Sequence, residues 1–229
     1  MASSSSSPNP VEAPSHVHAL LERLHRESTV QEDALGKSFL STIMKQGFDD
    51  LMRDKFIALD QDKAHFVYQL VRALGARNVV EVGTSFGVST IYLALAVGSN
   101  IKAFGGEGKV IATEWEESKA QRAIAHWDEA GRDLVARHIE LRQGDCLETL
   151  KEDIPTPDVI LFDIWAPIAL PVLRILEPRM RPGTVILMDN TIAAGPRYQD
   201  LFDYMRVHDS PYTNMTLPYS GGFDMCIRQ

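Results

Sequence analysis

Asn78-Val79-Val80-Glu81-Val82-Gly83-Thr84-Ser85-Phe86-Gly87-Val88-Ser89 (residues 78–89) passes from a β-branched apolar run, through a glycine-bearing turn, into an apolar segment that continues to Val97. Val79 to Val82 has the composition of a buried strand. Gly83 permits a sharp turn, and Val88 to Val97 has the residue types of a helix. The same rhythm recurs downstream. Lys109–Thr113, Ile139–Leu141, Asp158–Phe162 and Thr184–Met188 read as strands. Glu116–Ala130, Cys146–Lys151, Ile168–Leu176 and Tyr198–Val207 read as helices, the third despite Pro171 near its start. Asn100–Gly108 reads as a glycine-containing loop, and Tyr212–Arg228 as a hairpin with Ser220-Gly221-Gly222 at or near its turn. Strands alternating with helices predict an α/β fold: a doubly wound, mostly parallel, seven-stranded sheet with helices on both faces and the hairpin as an antiparallel edge.

Upstream of the first strand the pattern is helical. His16–Glu27 carries Leu20, Leu21 and Leu24 at helical spacing, and Glu32–Arg53 reads as a second, less regular helix. Asp60 reads as the N-cap of a helix with Phe66, Val67, Leu70, Val71 and Leu74 on one face, closed by Gly75. The Ser/Pro-rich start, residues 1–14, reads as a disordered tail. Residues 15–229 are then one domain, with extra N-terminal helices over 15–59 covering a core of 60–229.

Hydrophobic and charged fractions of 45% and 24% over 229 residues are those of an ordinary globular domain. A formal net charge of -8, with no Lys/Arg cluster, argues against a nucleic-acid partner. No apolar run approaches the ~18 residues that crossing a membrane requires. Cys146 and Cys226 follow no secretory-type apolar segment and show no zinc spacing, so reduced thiols in a cytoplasmic protein are expected.

Ligands of open α/β sheets bind outside the carboxyl ends of the strands. Four features fall there. The Gly83 turn leads into a helix whose first N–H groups can receive an anion; a tight turn without a ligand is the other reading. Glu81, two residues before it, either braces the loop or touches the ligand. Glu114 ends the second strand, where a carboxylate can accept from the paired hydroxyls of a ribose with Trp115 against an adenine. It can equally be a solvated start to the next helix. Asp163 and Asp189-Asn190 end the fourth and fifth strands. They read as a hard oxygen set suited to Mg²⁺, or as caps of the helices that follow.

Taken together, the segments resemble a known family. Val80–Ser89 is similar to the first S-adenosylmethionine (SAM)-binding motif of the class I, cation-dependent catechol/caffeoyl-CoA O-methyltransferases. Leu161-Phe162-Asp163-Ile164-Trp165 and Ile186-Leu187-Met188-Asp189-Asn190 resemble their strand-four and strand-five motifs. The resemblance runs from about Asp60 to the C-terminus. It implies a Rossmann-like methyltransferase domain and a SAM-dependent O-methyltransferase acting on a small aromatic hydroxyl with a divalent cation. Gly83 and Ser89 would hold the methionine part of SAM, Glu114 its ribose, and Trp115 would lie beside its adenine, bordered by Gly144-Asp145-Cys146. Glu81, Ser85, Asp163 and Trp165 would complete the cofactor cleft. Asp163, Asp189 and Asn190 would bind Mg²⁺, and Asp224 would orient the acceptor. The resemblance also implies a homodimer built on the N-terminal helices.

One departure stands out. Catechol methyltransferases place a lysine, the general base, three residues after the strand-four Asp; here Ala166 occupies that position. A metal-acidified hydroxyl, a base from Asp224 or an N-terminal histidine, an acceptor needing no base, and a methyltransferase-fold protein that does not methylate all remain open. Trp165, Phe39 and Phe48 are candidate walls for an aromatic acceptor, or plain core. His65, His126, His138 and His208 show no metal spacing. An NAD(P)-linked oxidoreductase is a further alternative. Against it stand the absence of G-x-G-x-x-G and the Asp163/Asp189-Asn190 set.

Overall fold

The structure, a computed structural model, describes residues 8–46 and 55–229, and the side chains of all of these except 35–46. Seven strands form one sheet: β1 (Asn78–Val82), β2 (Lys109–Glu114), β3 (Ile139–Gln143), β4 (Val159–Phe162), β5 (Val185–Asp189), β6 (Tyr212–Leu217) and β7 (Phe223–Arg228). Their order is β3-β2-β1-β4-β5-β7-β6. The pairs from β3 to β5 are parallel; β7 runs antiparallel to both β5 and β6. The order reverses direction between β1 and β4, which opens the crevice where such sheets bind ligands.

Strand periodicity sorts the core into two layers. Val79, Val110, Ala112, Val159, Leu161, Val185 and Leu187 pack on one face with α1 (Ser15–Gln46), α2 (Gln61–Ala73), α3 (Val88–Phe104) and α4 (Glu117–Ala130). Val80, Val82, Ile111, Ile160, Phe162, Ile186 and Met188 pack on the other with α5 (Cys146–Thr149), α6 (Ala169–Leu176) and α7 (Gln199–Met205). This is the expected doubly wound α/β sheet with its antiparallel hairpin. Among the described residues no helix is long and apolar enough to cross a membrane.

Three expectations are corrected. The N-terminal region forms one helix through Gln46 where two were expected, because Ser28 and Thr29 do not break it. Thr29 Oγ1 bonds back to the His25 carbonyl at 3.0 Å, and Ser28 Oγ donates to Glu32 at 2.7 Å, which keeps the turn helical. The end expected at Arg53 lies outside the described residues. Helix α3 runs seven residues past Val97, through the expected loop, because Asn100 is a buried fastener. Its amide donates to the carbonyls of Val71 and Ala76 at 2.8 and 2.7 Å, at the C-terminus of α2. Finally, residues 8–14, expected within a disordered tail, run along the helical layer. Val11 is buried there, and the Glu12 N–H donates to the Tyr68 hydroxyl at 3.2 Å.

Candidate active site

The parallel register brings the carboxyl ends of β1, β2, β4 and β5 to one rim. Gly83 follows β1, Glu114 ends β2, Asp163 follows β4, and Asp189 ends β5. At Gly83 the backbone has φ +92°, and a Cβ there would lie 2.1 Å from the Asp163 carbonyl oxygen, so only glycine lets the two loops meet. Asp163 N–H closes the contact by donating to the Val82 carbonyl at 3.0 Å.

Glu81 belongs to the face that looks toward α3 and is fully buried. Its Oε2 accepts from the Thr84 and Thr90 hydroxyls at 2.6 and 2.5 Å, while Oε1 has no hydrogen bond of ordinary geometry among the described residues. Burial pushes this carboxyl above its ordinary range, and the hydroxyls of Ser89, Thr84 and Thr90 oppose the shift. Glu81 and Ser89 therefore lie behind the turn as braces. Glu114 fastens the turn from the other side: Oε2 accepts the Ser85 N–H at 2.7 Å and Oε1 the Glu116 N–H at 2.9 Å. Burial raises this carboxyl too. Trp115 beside it is 65% exposed. Gly144-Asp145-Cys146 borders the same end, since Gly144 N–H donates to the Glu114 carbonyl at 2.9 Å and Asp145 caps α5 through the Leu147 N–H. The Cys146 thiol is pushed up to about 11 by burial, so it is protonated and inert at neutral pH. On the β4 side, Trp165 is 36% exposed, with the Arg197 guanidinium 4.4 Å from its ring centroid.

The expected cation site is where the structure departs from the reading. Asp163, Asp189 and Asn190 do converge. However, Asp189 Oδ1 accepts from the Lys63 ammonium at 2.7 Å, and Oδ2 accepts from Asn190 Nδ2 at 3.1 Å. Lys63 is 2% exposed and also pairs with Asp60 at 2.9 Å. Burial disfavours its charge, but the hydrogen bonds to Asp189 and Asp60 outweigh that, and its pKa is raised. Asp163 makes no side-chain hydrogen bond among the described residues. Burial, then the Asp189 and Glu81 carboxylates, push it well above the usual range, against the pull of Lys63. With Asp189 committed to an ammonium and an amide, the set does not fit a divalent cation. Among the described residues no group of three or more His, Cys, Asp or Glu is arranged to hold one.

Asp224, expected to orient the acceptor, is held by side chains of neighbouring segments. It is 1% exposed; Oδ1 accepts from Thr191 and Thr216 at 2.9 and 2.8 Å, and Oδ2 pairs with Arg206. These three bonds tie β7 to β6 and to the segments that follow β5 and α7. Ala166 packs into the core behind the cleft. Phe48 lies outside the described residues, as does the Phe39 side chain. The sequence reading missed Lys63, Asp60, Arg197 and Tyr198, a buried phenol raised first by burial and then by the Asp163, Asp189 and Asp224 carboxylates. Nothing in the sequence links Lys63 to a residue 126 positions away; its spacing with Asp60 reads as an ordinary helix-start ion pair.

Residues 80–191 match a family described as a methyltransferase domain. The chain is 31% identical over 140 residues to a catechol O-methyltransferase of Mycobacterium tuberculosis, covering 61% of this chain and 59% of that protein. It is 30% identical over 143 residues to one of Niastella koreensis, covering 61% and 60%. It thus spans about three fifths of the length of these relatives. The solved O-methyltransferase TomG of Streptomyces achromogenes, in complex with SAM, shares the fold with a TM-score of 0.69 at 21% identity, over 96% of this chain and 92% of that one. Residues 80–191 thus match a methyltransferase-domain model, the two relatives compared are catechol O-methyltransferases, and the fold is that of a solved O-methyltransferase.

Proposed function

We propose that this chain is a SAM-dependent O-methyltransferase acting on a hydroxyl group of a small aromatic molecule. The observation that carries this reading is the meeting of Gly83, Glu114, Asp163 and Asp189 at one rim of the parallel sheet, flanked by two exposed indoles. The residues fit the cofactor. The backbone at Gly83 offers a surface without a Cβ. The first turn of α3 presents N–H groups suited to a carboxylate. Each Glu114 oxygen accepts one backbone N–H and keeps a lone pair for a ribose hydroxyl. Trp115 provides an open ring face for an adenine.

When bound, SAM supplies a sulfonium methyl group, which passes to the acceptor oxygen as the S–C bond breaks and sulfur keeps the electron pair. The chain's task is to hold that oxygen about 3 Å away and in line. Trp165, with Arg197 over its ring, forms a wall for an aromatic acceptor. The acceptor's proton goes to a carboxylate oxygen of Asp163, which stands at the rim with no side-chain hydrogen bond among the described residues and whose raised proton affinity suits that role. Asp163 thus supplies what the residue at position 166 does not. Help from a divalent cation, which the resemblance implies, finds Asp163 as the one carboxylate of the set without an ammonium or amide partner among the described residues, and no step here runs through a metal.

The test is calorimetry with SAM and with NAD(H), followed by transfer of labelled methyl from SAM to catechol-type acceptors. SAM is expected to bind and transfer label, and NAD(H) is expected not to bind. Binding of NAD(H) with indifference to SAM would overturn the proposal.

A further inference from the structure

We propose that the Lys63 ammonium is a built-in replacement for a divalent cation, so that this chain performs its transfer without a metal. The inference deepens the methyltransferase reading and rests on it. Lys63 stands in the first turn of α2, and its ammonium lies 2.7 Å from Asp189 Oδ1 and 2.9 Å from Asp60 Oδ2, 2% exposed to solvent. A Mg²⁺ ion bound to Asp189 would need that oxygen at about 2.1 Å. It would then sit within touching distance of a second positive charge that is itself held by a second carboxylate. The other Asp189 oxygen is no better placed, because Asn190 donates to it at 3.1 Å. One ammonium is therefore shared between Asp189 and Asp60, and Asp163 is left as the rim carboxylate that pairs with no ammonium among the described residues. One carboxylate without a partner ligand is a poor site for a hydrated divalent ion.

Lys63 thus acts as a positioning residue. It fixes Asp189 at the rim and supplies positive charge beside the Asp163 carboxylate that faces the acceptor. An ammonium has three donors, and Asp189 and Asp60 use two.

The experiment measures metal binding directly, apart from activity. Wild-type protein, with and without SAM, is titrated with Mn²⁺ by electron paramagnetic resonance and with Mg²⁺ by calorimetry. No saturable binding below about 1 mM is expected. Lys63→Met removes the charge but keeps the chain length. It leaves Asp60, Asp163 and Asp189 uncompensated, and is expected to bind Mn²⁺ at least about tenfold more tightly than wild type. Lys63→Arg keeps the charge and is expected, like wild type, to show no saturable metal binding. Saturable wild-type binding that Asp163→Asn abolishes would overturn the proposal, and so would a wild-type transfer rate lost in EDTA and restored by Mg²⁺. The wild-type titrations decide the matter even if Lys63→Met does not fold. Failure of SAM to bind would instead defeat the methyltransferase reading and leave the metal result standing.

Discussion

Gly83→Ala tests the loop contact on which the site depends. At φ +92° an alanine carries a backbone penalty of about 1–2 kcal/mol. Its Cβ would also lie 2.1 Å from the Asp163 carbonyl oxygen and 2.6 Å from Ile164 Cγ2. Restoring ordinary contact requires the segment after β4 to retreat by about 1 Å, and overpacking of this kind costs about 1–3 kcal/mol. The expected loss of stability is about 2–5 kcal/mol, seen as a fall in Tm of about 5–15 °C for a chain of this size. The retreat also carries Asp163 away from the acceptor, and a displacement of about 1 Å costs about 100-fold in rate. Gly183→Ala is the control: it has φ +88°, and its Cβ would meet only the Arg181 Nη1 atom at 3.6 Å, an ordinary contact, so it incurs the backbone penalty alone. Thermal melts, SAM calorimetry and transfer rates of the two variants separate the effects. Equal melting temperatures, or wild-type SAM affinity and rate in Gly83→Ala, would refute the close contact between the two loops.

Glu114→Ala strips the acceptor from two backbone N–H groups and from the proposed ribose contact. SAM affinity by calorimetry is expected to fall by about 10- to 100-fold, and unaltered affinity would remove Glu114 from the site. Asp224→Ala leaves Thr191, Thr216 and Arg206 without their shared acceptor, at a cost of about 1–3 kcal/mol. A lowered Tm with an unchanged KM is expected, whereas lost transfer at an unchanged Tm would return Asp224 to catalysis. Glu81 has a folded-state pKa above its ordinary value of 4.5, so the native state binds more protons across that interval and stability falls as pH rises through it. Glu81→Gln is expected to flatten the decline in Tm as pH rises above about 4.5, the remainder belonging to the other raised carboxyls, Asp163, Asp189 and Glu114; an identical slope in both proteins would show that Glu81 does not titrate in this way.

The parallel sheet was legible because apolar runs such as Val79–Val82 and Val185–Met188 leave no other option to a buried strand, and the acids at their ends mark the rim. Properties set by contacts far apart in the chain were not legible. Asn100 looks like loop composition until its amide finds the carbonyls that end α2. Asp224 looks free until two threonines and an arginine from other elements surround it. Asp163 and Asp189 look alike in sequence, and only the Lys63 side chain, arriving from the helical layer, separates one from the other.

Helices α2 and α3 lie side by side, with His65 against Tyr92 near their starts and Asn100 knotted to the end of α2. Helix α2 is 13 residues long, its end bracketed by the two bonded carbonyls, and Asn100 is the thirteenth residue of α3, so each gives about 20 Å of rail. Matched rails pinned at the far end keep their near ends level, and those ends bear the lysine and the glycine turn. Adding one residue to either rail alone would lift its end by about 1.5 Å and swing it through about 100°. Length parity between two helices thus sets the alignment of charge and cleft.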